Sequence, residues 1–292
     1  LRINGGWEMI KIINKVEEIL DFVWNLSQED FYASYPRKKS LEQIKRELEK
    51  SINEDEKCVV AYHKDNELCG VCCYFWNQGE KYAQTTLFLI KDYYEDIAEE
   101  LISYVSTQLP GYELFIGFPD TNENAKKYFE GKNIQCIEAS IVTKLYNLMS
   151  DIREKHPSVE RITESNFDEY AIFHDKHAIP LEMYYNSQNL KKDINRFRVF
   201  TLREQGKIHG SIFVKAGKDM SEVFGLFIDK EYKNNHFISI LINEMLRELY
   251  NEFGTVKEII YFIDEDSTEE LNAALSAGFE IIERYRCYKC LL

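Results

Sequence analysis

Residues 226–246, LFIDKEYKNNHFISILINEML, decide the fold. Leu226–Ile228 is a short apolar run, and Glu231-Tyr232 closes an acidic-aromatic turn. Phe237, Ile240, Leu241 and Met245 then recur at the spacing of a helix with one buried face. The segment predicts strand, tight turn, helix. Residues 87–105, LFLIKDYYEDIAEELISYV, carry the same order, with Asp92-Tyr93 in the turn and Ile97, Leu101 and Val105 on the helical face.

The flanking blocks repeat as well. CVVAYHKDNELCGVCCYFW (58–76) matches FRVFTLREQGKIHGSIFVK (197–215). Each is a strand, a charged turn and a second strand beginning at Gly70 or Gly210, the pattern of a β-hairpin. ELFIGFPDTNENAKKYFEGKNIQCIEASIVTKLY (113–146) matches EIIYFIDEDSTEELNAALSAGFEIIERYRCYKCLL (258–292). Each is a strand, an Asp or Asn turn, a short helix and then two-residue alternation. The pairs Gly70/Gly210, Leu87/Leu226 and Glu113/Glu258 stand 140, 139 and 145 positions apart, so the order is kept with small loop changes. Each half also opens with helical sequence. MIKIINKVEEILDFVWNLS and SLEQIKRELEKSINED open the first, and SNFDEYAIFHDKHA and NLKKDINRF the second, with Ser40 and Ser165 placed as N-caps. Asn147–Ser158 is the expected linker. The predicted domains are 1–148 and 157–292, both α/β, each a mixed, mostly antiparallel sheet flanked by helices.

Composition agrees with two domains. The chain has 292 residues, and division by about 150 residues per domain gives two. At 45% hydrophobic residues it can bury a core, and 5 prolines and 13 glycines exclude collagen-like or loop-rich readings. The charge is 36 − 50 = −14, which disfavours phosphate backbones and anionic lipid and favours a cationic small molecule or basic peptide. No apolar run is long enough for a membrane span. Seven cysteines, an odd number, with no signal-peptide pattern point to the cytoplasm, and Met9 reads as the natural start.

Two metal readings are weighed and set aside. Cys69/Cys72 and Cys287/Cys290 have zinc-like spacing, but both pairs lie in strand sequence, where residues three apart face opposite sides. His174 and His177 share a helix face without a third ligand nearby in sequence. No metal is expected. No Walker loop, nucleotide-binding GxGxxG or Gly-x-Ser-x-Gly elbow is present.

The second half resembles the GNAT superfamily of N-acetyltransferases. The block from Gly225 to Leu241 is similar to that family's central motif, in which a GLxVxPEYR strand and turn lead into GxGxGxxLL. LNAALSAGFEIIERYRCYKCL is similar to its closing segment, a short helix ending in Gly-Phe before the last strands. In the first half, Asn122, Ala125, Phe129 and Glu130 fit the NxxAxxxYEKxGF pattern, with Asn133-Ile134 in place of Gly-Phe. The resemblance covers nearly the whole chain, once per half. It implies two acyl-CoA N-acyltransferase domains and acetyl-CoA as co-substrate.

The resemblance also implies site residues. Leu226, Phe227, Ile228, Lys233, Asn234, Asn235, His236, Phe237, Ile238 and Ser239 would form the cofactor strand and phosphate loop. A helix N-terminus there offers unpaired N–H groups to a pyrophosphate. Asn234, His236 and Ile238 replace the family's glycines, while Lys233 keeps a cation. The first half's loop instead holds Asp92, Glu95, Asp96, Glu99 and Glu100, which repel phosphate, so that half is expected to have lost the cofactor site. Glu222 stands where family members often carry a base. The family's tyrosine acid has no counterpart in Ala273-Ala274-Leu275, so Tyr285 and Tyr288 are the substitutes considered, and Tyr128 is read as packing. Glu182, Tyr184 and Tyr185 fall where the family builds its acceptor wall, suited to a cation by charge and cation–π contact.

The function expected is N-acetyltransfer from acetyl-CoA to an amine of a small molecule or peptide, catalysed by the second half. Two alternatives stand beside it: an acyl-CoA or ligand-binding protein without turnover, and a structural or interaction module. Monomer and homodimer are both compatible with the sequence.

Overall fold

A Cβ added at Gly70 would lie 2.8 Å from Ile97 Cγ2, and one at Gly210 would lie 3.2 Å from Leu241 Cδ1. In both halves a helix crosses the second hairpin strand so closely that any side chain there would press on it. The repeated glycines thus mark a repeated packing. The computed structural model describes residues 8–149, 155–181, 183–232 and 235–292.

In chain order the first half gives β1 (Glu8–Ile12), α1 (Leu20–Ser27), α2 (Leu41–Asn53), β2 (Lys57–Lys64), β3 (Glu67–Asn77), β4 (Tyr82–Ile90), α3 (Tyr94–Gln108), β5 (Glu113–Pro119), α4 (Glu123–Gly131) and β6 (Gln135–Leu148). The second gives β7 (Val159–Arg161), α5 (Phe167–Ala178), α6 (Ser187–Lys192), β8 (Phe197–Glu204), β9 (Lys207–Lys215), β10 (Met220–Ile228), α7 (Asn235–Phe253), β11 (Val256–Asp264), α8 (Thr268–Ser276) and β12 (Glu280–Leu291).

These elements form two compact units. Unit 1 holds the chain up to Ala139 together with Arg284–Leu292, and unit 2 holds Ser140–Glu283. Unit 1 orders its strands β1-β2-β3-β4-β5-β12, with only β4 and β5 parallel. Unit 2 orders its strands β7-β8-β9-β10-β11-β6, with only β10 and β11 parallel. The boundary therefore differs from the expected 1–148 and 157–292. The chain's last strand closes unit 1, pairing Tyr285 to Pro119 through Leu291 to Glu113. The first half's last strand closes unit 2, pairing Leu148 to Val256 through Ser140 to Asp264.

Each sheet is covered on both faces. In unit 1, α3 and α4 bury Ile97, Leu101, Val105 and Phe129 on one face, and α1 and α2 bury Val23, Ile44 and Leu48 on the other. In unit 2, α7 buries Ile238, Leu241, Ile242, Met245, Leu246 and Leu249. Each such side chain contributes about 1.5–3 kcal/mol. The opposite face is covered by Phe167, Tyr170 and Phe173 of α5.

Two local expectations change. Met9–Ser27 is not one helix: β1 adds an edge strand with Ile10 opposite Tyr62, and α1 begins only at Leu20. Ile10, Ile12 and Ile13 are β-branched, and pairing along β2 outweighs a helical pattern. Ser40 caps α2 by accepting from Gln43 N–H, but Asn166 rather than Ser165 precedes α5. Among the described residues no helix is long and apolar enough to cross a membrane.

Candidate functional site

The site begins with a bulge. β10 pairs in register with β9 up to Val223↔Val214, then resumes at Gly225↔Phe213, leaving Phe224 as the extra residue. A bulge bends and twists its strand. Gly225 permits the bend, since a Cβ there would fall 2.7 Å from the Phe213 ring. The parallel ladder to β11 ends at the same place: Met220–Val223 pair with Glu258–Tyr261, and beyond them the two strands part.

The split exposes backbone donors. Asp229 N–H donates to His209 O at 2.8 Å, so by alternation Phe227 also faces β9. The N–H groups of Leu226 and Ile228 point the other way, into the split, where no strand lies opposite them. A pocket of about 160 Å³ opens there, lined by His177, Leu226, Phe227, Ile228, Ile238, Ser267 and Glu270. Leu226, Ile228 and Ile238 belong to the core beneath α7, whereas Phe227 packs into the core beneath α5. The pocket thus takes its walls from both faces of the sheet.

A charged cluster adjoins it. Asp229, just past β10, accepts from Lys176 Nζ at 2.6 Å and His209 Nδ1 at 3.1 Å, and His177 Nε2 lies 3.6 Å away. Burial alone would raise the Asp229 carboxyl, but the hydrogen bonds from Lys176 and His209 hold it below its usual value. Burial, assisted by Lys176, lowers His177 against the opposing pull of Asp229. On the far wall, Tyr261 OH donates to Glu270, and burial pushes that phenol well above its usual value.

The predicted residues fall out as follows. Leu226, Phe227, Ile228 and Ile238 meet in the pocket. Asn235 begins α7, whose first turn carries no acidic side chain; His236 is exposed, and Phe237 and Ser239 are half-buried. Lys233, Asn234 and Glu182 lie outside the described residues. Glu222 is half-buried, directly opposite Lys215 on β9, and is not part of the pocket lining. Tyr185 packs its ring on Phe197 and on the bulge residue Phe224, with centroids 4.7 and 5.1 Å apart. Burial pushes its hydroxyl up to about 12. Tyr184 packs edge-on against it.

Tyr285 and Tyr288 do not join this site. Both belong to unit 1, because β12 pairs with β5. Tyr288 stacks on Phe118 and Phe129, and Tyr285 packs edge-on against Tyr35. They are core side chains of the other unit. His177, Ser267, Glu270 and Asp229 are the site residues that sequence reasoning did not assign. Helix phase could have flagged His177, since His174 three residues earlier is fully buried. Asp229 adjoins the strand motif, but its histidine partners come from α5 and β9.

Cys69, Cys72, Cys287 and Cys290 are buried in their strands, and no disulfide joins any of the seven cysteines. Among the described residues no group of three or more His, Cys, Asp or Glu is placed to hold a metal.

Unit 1 contains the same split, filled. Its parallel ladder runs only from Tyr82–Gln84 to Glu113–Phe115, and Thr86 is the bulge residue. Gly70 pairs with Ile90 as Gly210 pairs with Ile228, so Phe88 is the equivalent of Leu226. The sequence match of Leu87 to Leu226 is therefore off by one, a slip that exchanges the two faces of a strand. Phe88 N–H points into the split and donates to Ser34 Oγ at 3.1 Å. From the other side, Tyr35 N–H donates to Gly117 O at 2.9 Å, and Asn122 Nδ2 donates to Ala33 O at 3.0 Å. Ala33, Ser34 and Tyr35 are buried and join both strands of the split. The first turn of α3 carries Glu95 and Asp96, and Lys132 pairs with Glu95 and Glu99 at 3.4 and 3.3 Å.

No family model matches the sequence, and no curated protein matches it. Solved structures match in fold. One is a tandem GNAT protein from the clavulanic acid biosynthesis pathway, similar with a TM-score of 0.61 at 11% identity over 98% of each chain. A second is a GCN5-related N-acetyltransferase from Sphaerobacter thermophilus, with a TM-score of 0.64 at 13% identity over 97% of this chain and 95% of that one. A third is a putative acetyltransferase from Pyrococcus horikoshii, with a TM-score of 0.55 at 13% identity over 100% of this chain and 91% of that one. Likeness at such identities is likeness of fold, and the fold of this chain is that of the GNAT acetyltransferases.

Proposed function

We propose that the chain is an acetyl-CoA-dependent N-acetyltransferase whose unit 2 is the active half. One observation carries this reading: the unit 2 split is open, with the Leu226 and Ile228 N–H groups facing a pocket, while its unit 1 counterpart is occupied by Ala33–Tyr35. A thioester carbonyl in the split would accept from such an N–H and gain electrophilic character as charge develops on its oxygen. The N-terminus of α7, free of acidic side chains in its first turn, suits a pyrophosphate, and Lys233 adds a cation. The acceptor is an amine of a small molecule or peptide. Glu270 in the pocket lining and Asp229 beside it give a negative field for a cationic amine. The net charge of −14, with no disulfide among the cysteines, fits a cytoplasmic monomer or homodimer that uses neither nucleic acid nor membrane.

Acetyl-CoA at saturation should raise the melting temperature, because it stabilises only the native state it binds. Leu226→Trp, which fills the pocket, and Lys233→Glu, which reverses the loop charge, should each remove that rise. Asp96→Lys, on unit 1, should leave it intact. No rise for the parent chain would exclude the reading. A second reading, binding without turnover, is favoured by one observation: among the described residues no tyrosine lines the pocket to protonate the leaving thiolate. Thiol release on a panel of polyamines, aminoglycosides, amino acids and peptides separates the two.

A further inference from the structure

We infer that His177, backed by Asp229, is the base that takes the proton from the acceptor amine; the inference rests on the acyl-transfer reading of unit 2. α7 and α8 supply Ile238, Ser267 and Glu270 to one wall of the pocket, and α5 supplies His177 to the other. With the phosphates at the N-terminus of α7, an acceptor must arrive from the α5 face. There the His177 ring lies flat on Phe227, with centroids 5.3 Å apart and planes 11° from parallel. Phe227 sits between the two residues whose N–H groups face the split. The imidazole is therefore held beside the place where a carbonyl would be polarised.

The ring is also oriented. Nε2 is buried with no partner at hydrogen-bonding distance, and it faces Asp229 Oδ1 at 3.6 Å. A carboxylate on that side favours the Nε2–H tautomer, which leaves the Nδ1 lone pair for a proton from outside. Phe173 packs on the same ring and fixes it further. The titratable and charged groups around His177 are Lys176 and His174 from its own helix, Asp229 just past β10, with His209 of β9 bonded to that carboxylate, and Glu270 of α8 in the same pocket lining. Burial and Lys176 keep the imidazole neutral at neutral pH, as a base must be, and Asp229 stabilises the imidazolium once formed.

The step balances. The ammonium group of the acceptor gives one proton to Nδ1. The freed amine attacks the thioester carbonyl carbon, so that an N–C bond forms and the C–S bond breaks, with its electron pair leaving on sulfur. The second proton lost from nitrogen goes to the thiolate, and the imidazolium returns its proton to solvent. Nothing is oxidised or reduced.

The test uses the whole chain with ¹³C-labelled histidine and acetyl-CoA as the probe. His177→Gln assigns the His177 ring resonance. Acetyl-CoA should move that resonance and leave His63 in unit 1 unmoved. With the best amine of the panel, His177→Gln should keep the acetyl-CoA melting shift, lower kcat by about 10²–10⁴-fold and abolish the fall in rate at acid pH. Asp229→Asn should move that acid limb to lower pH, because the group that favours the imidazolium is gone. Hydroxylamine, which is neutral at the assay pH, needs no base to free its attacking nitrogen and should lose less than about tenfold in His177→Gln.

Bound acetyl-CoA with an unmoved His177 resonance would overturn the inference while leaving unit 2 as the binding half. So would parent-like kcat in His177→Gln together with a large loss in Glu222→Gln, or binding with no thiol release for any amine. No acetyl-CoA binding at all would remove the acyl-transfer reading and this inference with it.

Discussion

His174 and His177 stand three residues apart on α5, yet their surroundings differ completely. His174 is wholly buried and bonded at both nitrogens, Nδ1 with Tyr170 OH and Nε2 with Tyr185 O, each at 2.7 Å. His177 lines a pocket and has neither bond. Burial lowers both below the ordinary 6.5. The unfolded chain then binds more protons than the native one, so stability is full above about 6.5 and is lost as pH falls below it. The urea midpoint should drop between pH 7.5 and 5. His174→Phe should flatten that drop while leaving Tyr170 OH and Tyr185 O unpaired, at about 1–3 kcal/mol for each group. A variant with the parent's midpoint and slope would contradict this account. Sequence spacing places the two histidines on one helix face, but what separates them is a carbonyl 11 residues downstream and a carboxylate just past β10, neither of which follows from local pattern.

Between elements, single side chains do two jobs. Asn122 is the N-cap of α4, its Oδ1 accepting from Ala125 N–H at 3.1 Å, and its Nδ2 tethers Ala33 O in the unit 1 split. Its side chain is buried, so removing it strands both partners. Asn122→Ala should cost about 2–3 kcal/mol in chemical unfolding, the sum of a lost cap and an unpaired carbonyl. Asn122→Asp keeps the cap but sets a carboxylate against the Ala33 carbonyl, and should be no more stable than the alanine variant. If it restores parent stability, the tether contributes nothing. The cap was legible, because Asn122 and Ala125 stand at cap spacing within a recognisable motif. The tether was not, since 89 residues separate Asn122 from Ala33. The one-residue slip between Leu87 and Leu226 has a related cause. The runs Leu87–Ile90 and Leu226–Ile228 are apolar at every position, so side-chain alternation does not fix their register, and the Gly70↔Ile90 and Gly210↔Ile228 pairings do.

For the whole molecule, the order of elements was readable from the repeat, and the closing strands were not. β6 and β12 occupy equivalent places in the two halves, and both alternate with a period of two, so either sequence could lie beside β5 or β11. Pairing decides it, and the decision moves Tyr285 and Tyr288 out of the half where sequence order puts them. This has a direct consequence for truncation. Arg284–Leu292 belongs to unit 1, where Tyr288 stacks on Phe118 at 5.4 Å and on Phe129 at 5.0 Å. Tyr285 packs on Tyr35 at 4.7 Å and covers Gly117, where a Cβ would clash with its ring. Each large aromatic lost from a core costs about 3–5 kcal/mol, and two of them with a strand ladder approach the whole stability of a domain, about 5–15 kcal/mol. Deleting Arg284–Leu292 should therefore lower hydrogen-exchange protection along β5, more than 160 residues earlier in the chain, by several orders of magnitude. The ladder between β10 and β11 keeps all its own strands and should remain protected. If the deletion instead opens β11 and spares β5, each half of the sequence closes its own sheet and the exchange of strands is wrong.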